Sequence, residues 1–154
     1  MSAAASAGLP AAGSIARIEE VMTDLAMMEL IFVSPTFRGF VLDRAQLAAE
    51  GELELASLRR SVFETSLGET DVELVCRNPG GRRVALLIEN KVRAPLMERQ
   101  FERYAARGRL GIETGNWDAF RVVLAAPQAY YDGLPDAHRR HIDVHLAYEA
   151  IVEW

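Results

Sequence analysis

A chain of 154 residues is long enough to bury one sizeable core and is read as one domain. Half of the residues are hydrophobic and a quarter charged, and the single cysteine, Cys76, excludes both an internal disulfide framework and a cysteine-based zinc cluster. The formal net charge of −5 argues against a generally adhesive nucleic-acid binder while leaving room for a local basic groove.

Residues 1–13 are Ala, Ser, Gly, Leu and Pro after the initial Met, without charge. They lack the basic start and continuous apolar run of a secretory signal, and nothing in the chain approaches membrane-span length. The expectation is a flexible tail followed by a soluble, cytoplasmic domain over 14–154. Ser14 can cap a helix over 14–32, in which Ile18, Val21, Leu25, Met28 and Ile31 recur at helical spacing as a buried stripe. Glu19, Glu20, Thr23 and Asp24 lie close to that stripe. Ser34-Pro35 breaks the helix, and a second one is read over 37–49, before Gly51. The next segment, ELELASL, can continue as helix, but the run from Arg59 to Phe63 favours a strand ending near Glu64. A loop over 65–70 follows, with Gly68 supplying backbone freedom.

The stretch 71–100 reads as strand, tight turn, strand and helix. Residues two apart in a strand share a face, so Glu89 and Lys91 in VALLIENKV emerge side by side at the end of a buried element. The turn Pro79-Gly80-Gly81 centres on Gly80, from which Asp71 and Glu89 are equally distant in the chain. An antiparallel hairpin therefore brings the two acids together, with Lys91 beside them. Lys91 is the only lysine, against sixteen arginines. In a chain that uses arginine wherever a generic positive charge serves, a lone lysine beside a carboxylate is a chemical candidate, because its compact ammonium does what a guanidinium does not. The plain alternative is an ion pair capping the strand.

Pro95 suits the first turn of a helix running to Gly108. That helix carries Gln100, and Arg103 and Arg107 follow it on one face. They can grip phosphates or form a solvated charged face with Glu98 and Glu102. A loop over 111–118, a strand over 120–126 ended by Pro127, a partly helical connection over 128–140, a strand over 143–148 and the start of a helix complete the order. The implied fold is α/β, a mixed central sheet flanked by helices. His138, His141 and His145 span a change from loop to strand, a poor spacing for zinc. Gly80-Gly81 belongs to the hairpin, since no Gly-Lys-Ser/Thr sequence accompanies it.

In this order the pieces GETDVELV with Asp71, LLIENKV with Glu89 and Lys91, and MERQFERY with Gln100 and Tyr104 resemble the PD-(D/E)xK nuclease superfamily. The likeness is to a poorly characterised prokaryotic branch with an Ile-Glu-Asn-Lys motif, and it covers roughly 14–154. Glu19-Glu20-Val21-Met22-Thr23 resembles the acid-before-threonine pattern of that family's first helix. Two departures stand out: Thr70 occupies the position of the family's proline, and Glu73 shares a strand face with Asp71. The chain also stops as its last helix begins, which suits a minimal form or a fragment.

The resemblance implies a restriction-endonuclease-like αβββαβ core and a metal-dependent hydrolase of phosphodiester bonds, with DNA the expected substrate and defence or repair the expected setting. Asp71 and Glu89 are hard oxygen ligands suited to Mg2+ or Mn2+. Glu19, with Glu20 as its alternative, would be an outer ligand. Lys91 would handle the attacking water or a phosphate oxygen, and Gln100 would position the water or the backbone near the metal. Arg103 and Arg107 would contact nucleic acid. A homodimer or a partner protein would add grip. The competing reading is an inactive nuclease-fold module that binds nucleic acid or protein.

Overall fold

A computed structural model describes residues 12–154. The element order is α1 (Ala12–Val33), α2 (Pro35–Arg44), a 3-10 turn (Ala48–Glu50), β1 (Glu54–Glu64), β2 (Gly68–Arg77), β3 (Arg83–Asn90), α3 (Gln100–Glu113), β4 (Ala119–Ala126), α4 (Gln128–Asp132), α5 (Asp136–Arg139), β5 (Val144–Ala147) and α6 (Tyr148–Glu153). The expected tail falls mostly outside the described residues, but helix already runs at Ala12, so Ser14 lies inside α1 and does not cap it.

Among the described residues the sheet has five strands in the order β1-β2-β3-β4-β5. The first three form an antiparallel meander, and β4 and β5 add in parallel. A parallel neighbour cannot be reached by a tight turn, so α3 serves as the crossover from β3 to β4. The expected α/β class with a mixed sheet is thus present.

Strand alternation divides the interior into two layers. Val72, Leu74, Cys76, Val84, Leu86 and Ile88 pack with Met27, Ile31, Phe37 and Val41 of α1 and α2. Val75, Ala85, Leu87, Val122 and Leu124 pack with Phe101 and Tyr104 of α3 and with Trp117. A central strand buried on both faces reads as a continuous apolar run, which is what VALLI is. Burial also lifts the Cys76 thiol to about 11, so it behaves as a small apolar residue.

The first three helices depart from expectation, α2 spanning Pro35–Arg44 where 37–49 was expected. The buried side of α1 is Asp24, Met27 and Ile31, while Ile18 and Leu25 of the proposed stripe are exposed. Apolar residues surround much of α1, so periodicity alone did not single out the covered face. Helix α3 starts at Gln100 rather than Pro95, after Arg99 in the left-handed region (φ 52°). It also runs past Gly108, because that glycine and Gly111 are contact points: a Cβ would sit 2.2 Å from the Phe120 ring and 2.0 Å from the Trp117 ring respectively. No single helix among the described residues is long and apolar enough to cross a membrane.

Candidate active site

The hairpin register is Val72 opposite Ile88, and its continuation sets Asp71 opposite Glu89. Gly81 (φ 86°) makes that register possible, with its N–H donating to the Asn78 carbonyl at 2.9 Å and the Asn78 N–H donating to that of Arg82 at 3.0 Å. Both acids lie on the α3 face of the sheet, at the carboxyl end of β3. This is the end where open α/β sheets form their crevices.

Glu89 is 1 % exposed and held by three side chains. Gln100 Nε2 donates to Oε1 at 2.6 Å, Lys91 Nζ lies 2.8 Å from the same oxygen, and the Tyr104 hydroxyl donates to Oε2. A carboxylate has about four lone-pair positions, so these three contacts leave about one open. Gln100 cannot flip without losing a bond, since its Oε1 accepts the Met97 N–H at 3.1 Å while its amide nitrogen serves Glu89. The Lys91 backbone is fixed by its own N–H, which donates to the Ala125 carbonyl at 2.9 Å.

Asp71 is tied to the same group from the other strand. Its Oδ2 accepts the Asn90 backbone N–H at 2.9 Å, and its own N–H donates to the Tyr104 hydroxyl at 3.1 Å. The Tyr104 oxygen therefore bridges the two strands, accepting from Asp71 and donating to Glu89. Burial, then the charges of Glu89 and Asp24, push the Asp71 carboxyl from 3.8 up to about 9; the Asn90 N–H and Lys91 oppose the rise. Burial, followed by Glu89 and Asp71, also holds the Tyr104 hydroxyl well above its ordinary range, so it is a proton donor in this network.

Sequence reasoning gave no role to Asp24, Asn90 or Tyr148. Asn90 Nδ2 donates to Asp24 Oδ1 of α1 at 2.7 Å, and the Tyr148 hydroxyl lies 3.5 Å from Asn90 Oδ1. Asn90 thus connects the layers: its backbone holds Asp71 on one face and its side chain holds Asp24 on the other. Burial raises the Tyr148 hydroxyl to about 12, keeping it a neutral donor. A weak signal existed in the Glu-Asn-Lys run, where the middle residue must face opposite to its neighbours.

The remaining expected residues are placed as follows. The Glu19 and Glu20 side chains lie outside the described part of the structure, and the α1 acid seen at the site is Asp24. Arg103 is partly exposed and donates to the Glu98 carbonyl. Arg107 turns inward: it is 5 % exposed, its guanidinium lies 4.8 Å from the Tyr104 ring centre, and Nη2 donates to the Leu67 carbonyl at 2.9 Å. Its burial argues for a packing role rather than direct contact with a strand in solvent. Glu73, the further acid on the strand face of Asp71, is buried and paired across the sheet with Arg59. The three histidines do not converge: His138 meets Phe101 edge-on, His141 lies near Glu102, and His145 stacks on Tyr131.

Among the described residues no group of three or more His, Cys, Asp or Glu side chains forms a ready-made metal cage. The donor set nevertheless suits Mg2+ or Mn2+, which take one or two carboxylates and leave other positions to water and phosphate. A carboxyl kept protonated first by burial and then by two neighbouring acids marks a place where added positive charge is favoured. The chain matches no family model, no curated protein and no solved structure.

Proposed function

We propose that the chain is a divalent-metal-dependent nuclease of the PD-(D/E)xK kind, hydrolysing phosphodiester bonds of nucleic acid, with DNA as the expected substrate. The observation that carries this reading is the meeting of Asp71, Glu89, Lys91 and Gln100 at one end of the sheet, with Lys91 Nζ 2.8 Å from Glu89 and Gln100 Nε2 2.6 Å from it. Asp71 and Glu89 would hold the ion, which would place positive charge beside the phosphate and acidify a water.

The chain's own groups do the rest. Tyr104 and Gln100 keep the Glu89 carboxylate from rotating, so it is presented in one orientation. Asn90 holds Asp71 through its N–H and brings Asp24 to the same end of the sheet. Lys91 Nζ, anchored on Glu89, would orient the attacking water as an ammonium, or would take the water's proton only after first releasing its own to solvent beside the bound dication. Its buried stem and fixed backbone limit where the ammonium can go.

The test is incubation of the purified chain with plasmid, single-stranded DNA and RNA, with Mg2+ or Mn2+ and with chelator. Cleavage that requires the metal supports the reading. No cleavage of any substrate with either ion would move the assignment to a binding module built on the same fold.

A further inference from the structure

A cleft of about 840 Å³ lies against the outer side of α3, with Arg99, Arg103, Arg109, Arg140 and His141 on its walls and two acids, Glu98 and Glu102, among them. The turn between β1 and β2, Ser66 and Leu67, closes one side. Arginines outnumber acids here in a chain that is negative overall, so the local field is opposite in sign to the whole molecule's.

Two of these arginines and His141 already converge on an anion. Arg99 Nε lies 2.6 Å from Glu102 Oε2, while Arg140 Nη2 and His141 Nε2 lie 3.9 Å and 3.8 Å from Oε1. Arg99 chiefly, with His141 and Arg140, holds the Glu102 carboxyl below its usual range, so it is ionised at neutral pH. Two arginines drawn from separate segments, with the His141 ring beside them accepting from Arg140 Nε at 3.2 Å, surround one carboxylate and make a receptor of the size and charge that suits a phosphate oxygen. Arginine rather than lysine is the residue that grips such groups in a fixed fork.

The position ties this receptor to the acids. Gln100, between Arg99 and Arg103 in the sequence, points the other way and donates to Glu89. The cleft and the carboxylates therefore flank one turn of the same helix. We infer that this cleft grips the phosphodiester backbone of the strand whose scissile bond is presented to Asp71 and Glu89, with Glu102 occupying a phosphate position until the strand arrives. The inference rests on the nuclease reading for the kind of ligand it names, and it assigns Arg99, Arg140 and His141 a binding role.

Binding can be measured apart from cleavage, by fluorescence anisotropy of labelled DNA and RNA oligonucleotides of equal sequence, in chelator, across a salt series. The variants are Arg99→Ala with Arg140→Ala, and separately Glu102→Gln, each checked by thermal melting. The double variant should bind at least about tenfold more weakly and lose about two from the slope of log affinity against log salt. Glu102→Gln, which keeps the shape and removes the competing charge, should bind several-fold more tightly. A comparison of the two strands shows whether the cleft accepts both backbones, and binding of either meets the expectation. Equal affinity in the parent and both variants, no binding of either strand, or equal displacement by poly-glutamate would overturn the inference, the last pointing to an acidic protein partner. The altered affinities without cleavage under any metal would leave the cleft assignment standing and remove only the nuclease reading.

Discussion

Asp71 carries a cost that a purely structural residue would not need. Its carboxyl holds a proton to about 9 in the folded chain, against 3.8 ordinarily. Below the lower value both states are protonated and the group is neutral in the balance. As pH rises towards 9 the unfolded chain gains by ionising and the folded one does not, so this residue lowers stability progressively. Asp71→Asn should therefore melt higher than the parent in chelator at pH 7, by on the order of 1–3 kcal/mol, with the gain fading towards pH 4. A difference that stays constant across the range would show that Asp71 is not a strained acid. Tyr104→Phe should act in the opposite direction. It removes a donor from Glu89 and an acceptor from the Asp71 N–H, at a cost of about 1–3 kcal/mol measurable by urea unfolding. At this scale Asp71, Glu89, Lys91 and Gln100 were legible, since strand period and hairpin symmetry alone bring the first three together. Asp24 was not, because its role depends on how α1 lies across the sheet end, a non-local fact that no spacing encodes.

The elements show the same division between local and non-local information. Glycines in helices make a sharp test. Gly108→Ala and Gly111→Ala would drive a methyl into the Phe120 and Trp117 rings. Each should destabilise by about 1–3 kcal/mol despite the better helix propensity of alanine. Gly39→Ala in α2, where nothing lies within 4 Å of the added atom, should stabilise by about 0.5–1 kcal/mol. Thermal melts of the three variants decide it, and equal signs would contradict the packing described for α3. Strand boundaries with a local cause were read closely: Pro127 ends β4, Gly81 turns the hairpin, and the apolar run of β3 is bounded by charge; β2, however, already begins at Gly68, inside the expected loop over 65–70. The helices were read less well. Pro95 and Gly108 looked like start and stop signals, yet the chain needs residues 91–99 to cross from β3 towards α3, and the glycines are there for close approach. Ser34, read only as part of the break after α1, caps α2 by accepting the Phe37 N–H at 3.1 Å, and α2 ends at Arg44 where a helix over 37–49 was expected.

For the molecule as a whole, one mixed sheet places a hairpin acid pair, a crossover helix and a helix acid from the opposite layer at a single end. On the proposed reading, a divalent ion held at that end would offset the repulsion that a chain of net charge −5 exerts on a polyanion. The central claim is that Asp71 and Glu89 hold a metal and that Lys91 works on the reaction rather than merely balancing charge. The most direct measurement is cleavage rate beside Mn2+ affinity for the parent, Lys91→Arg and Asp71→Asn, with folding confirmed by melts. The account predicts that Asp71→Asn loses both metal affinity and cleavage. Lys91→Arg should keep the metal and lose about a hundredfold or more in rate, because a guanidinium is wider than the compact ammonium and, unlike a lysine, cannot give up its proton to act as a base. Full activity in the arginine variant, or undiminished metal affinity in Asp71→Asn, would contradict it.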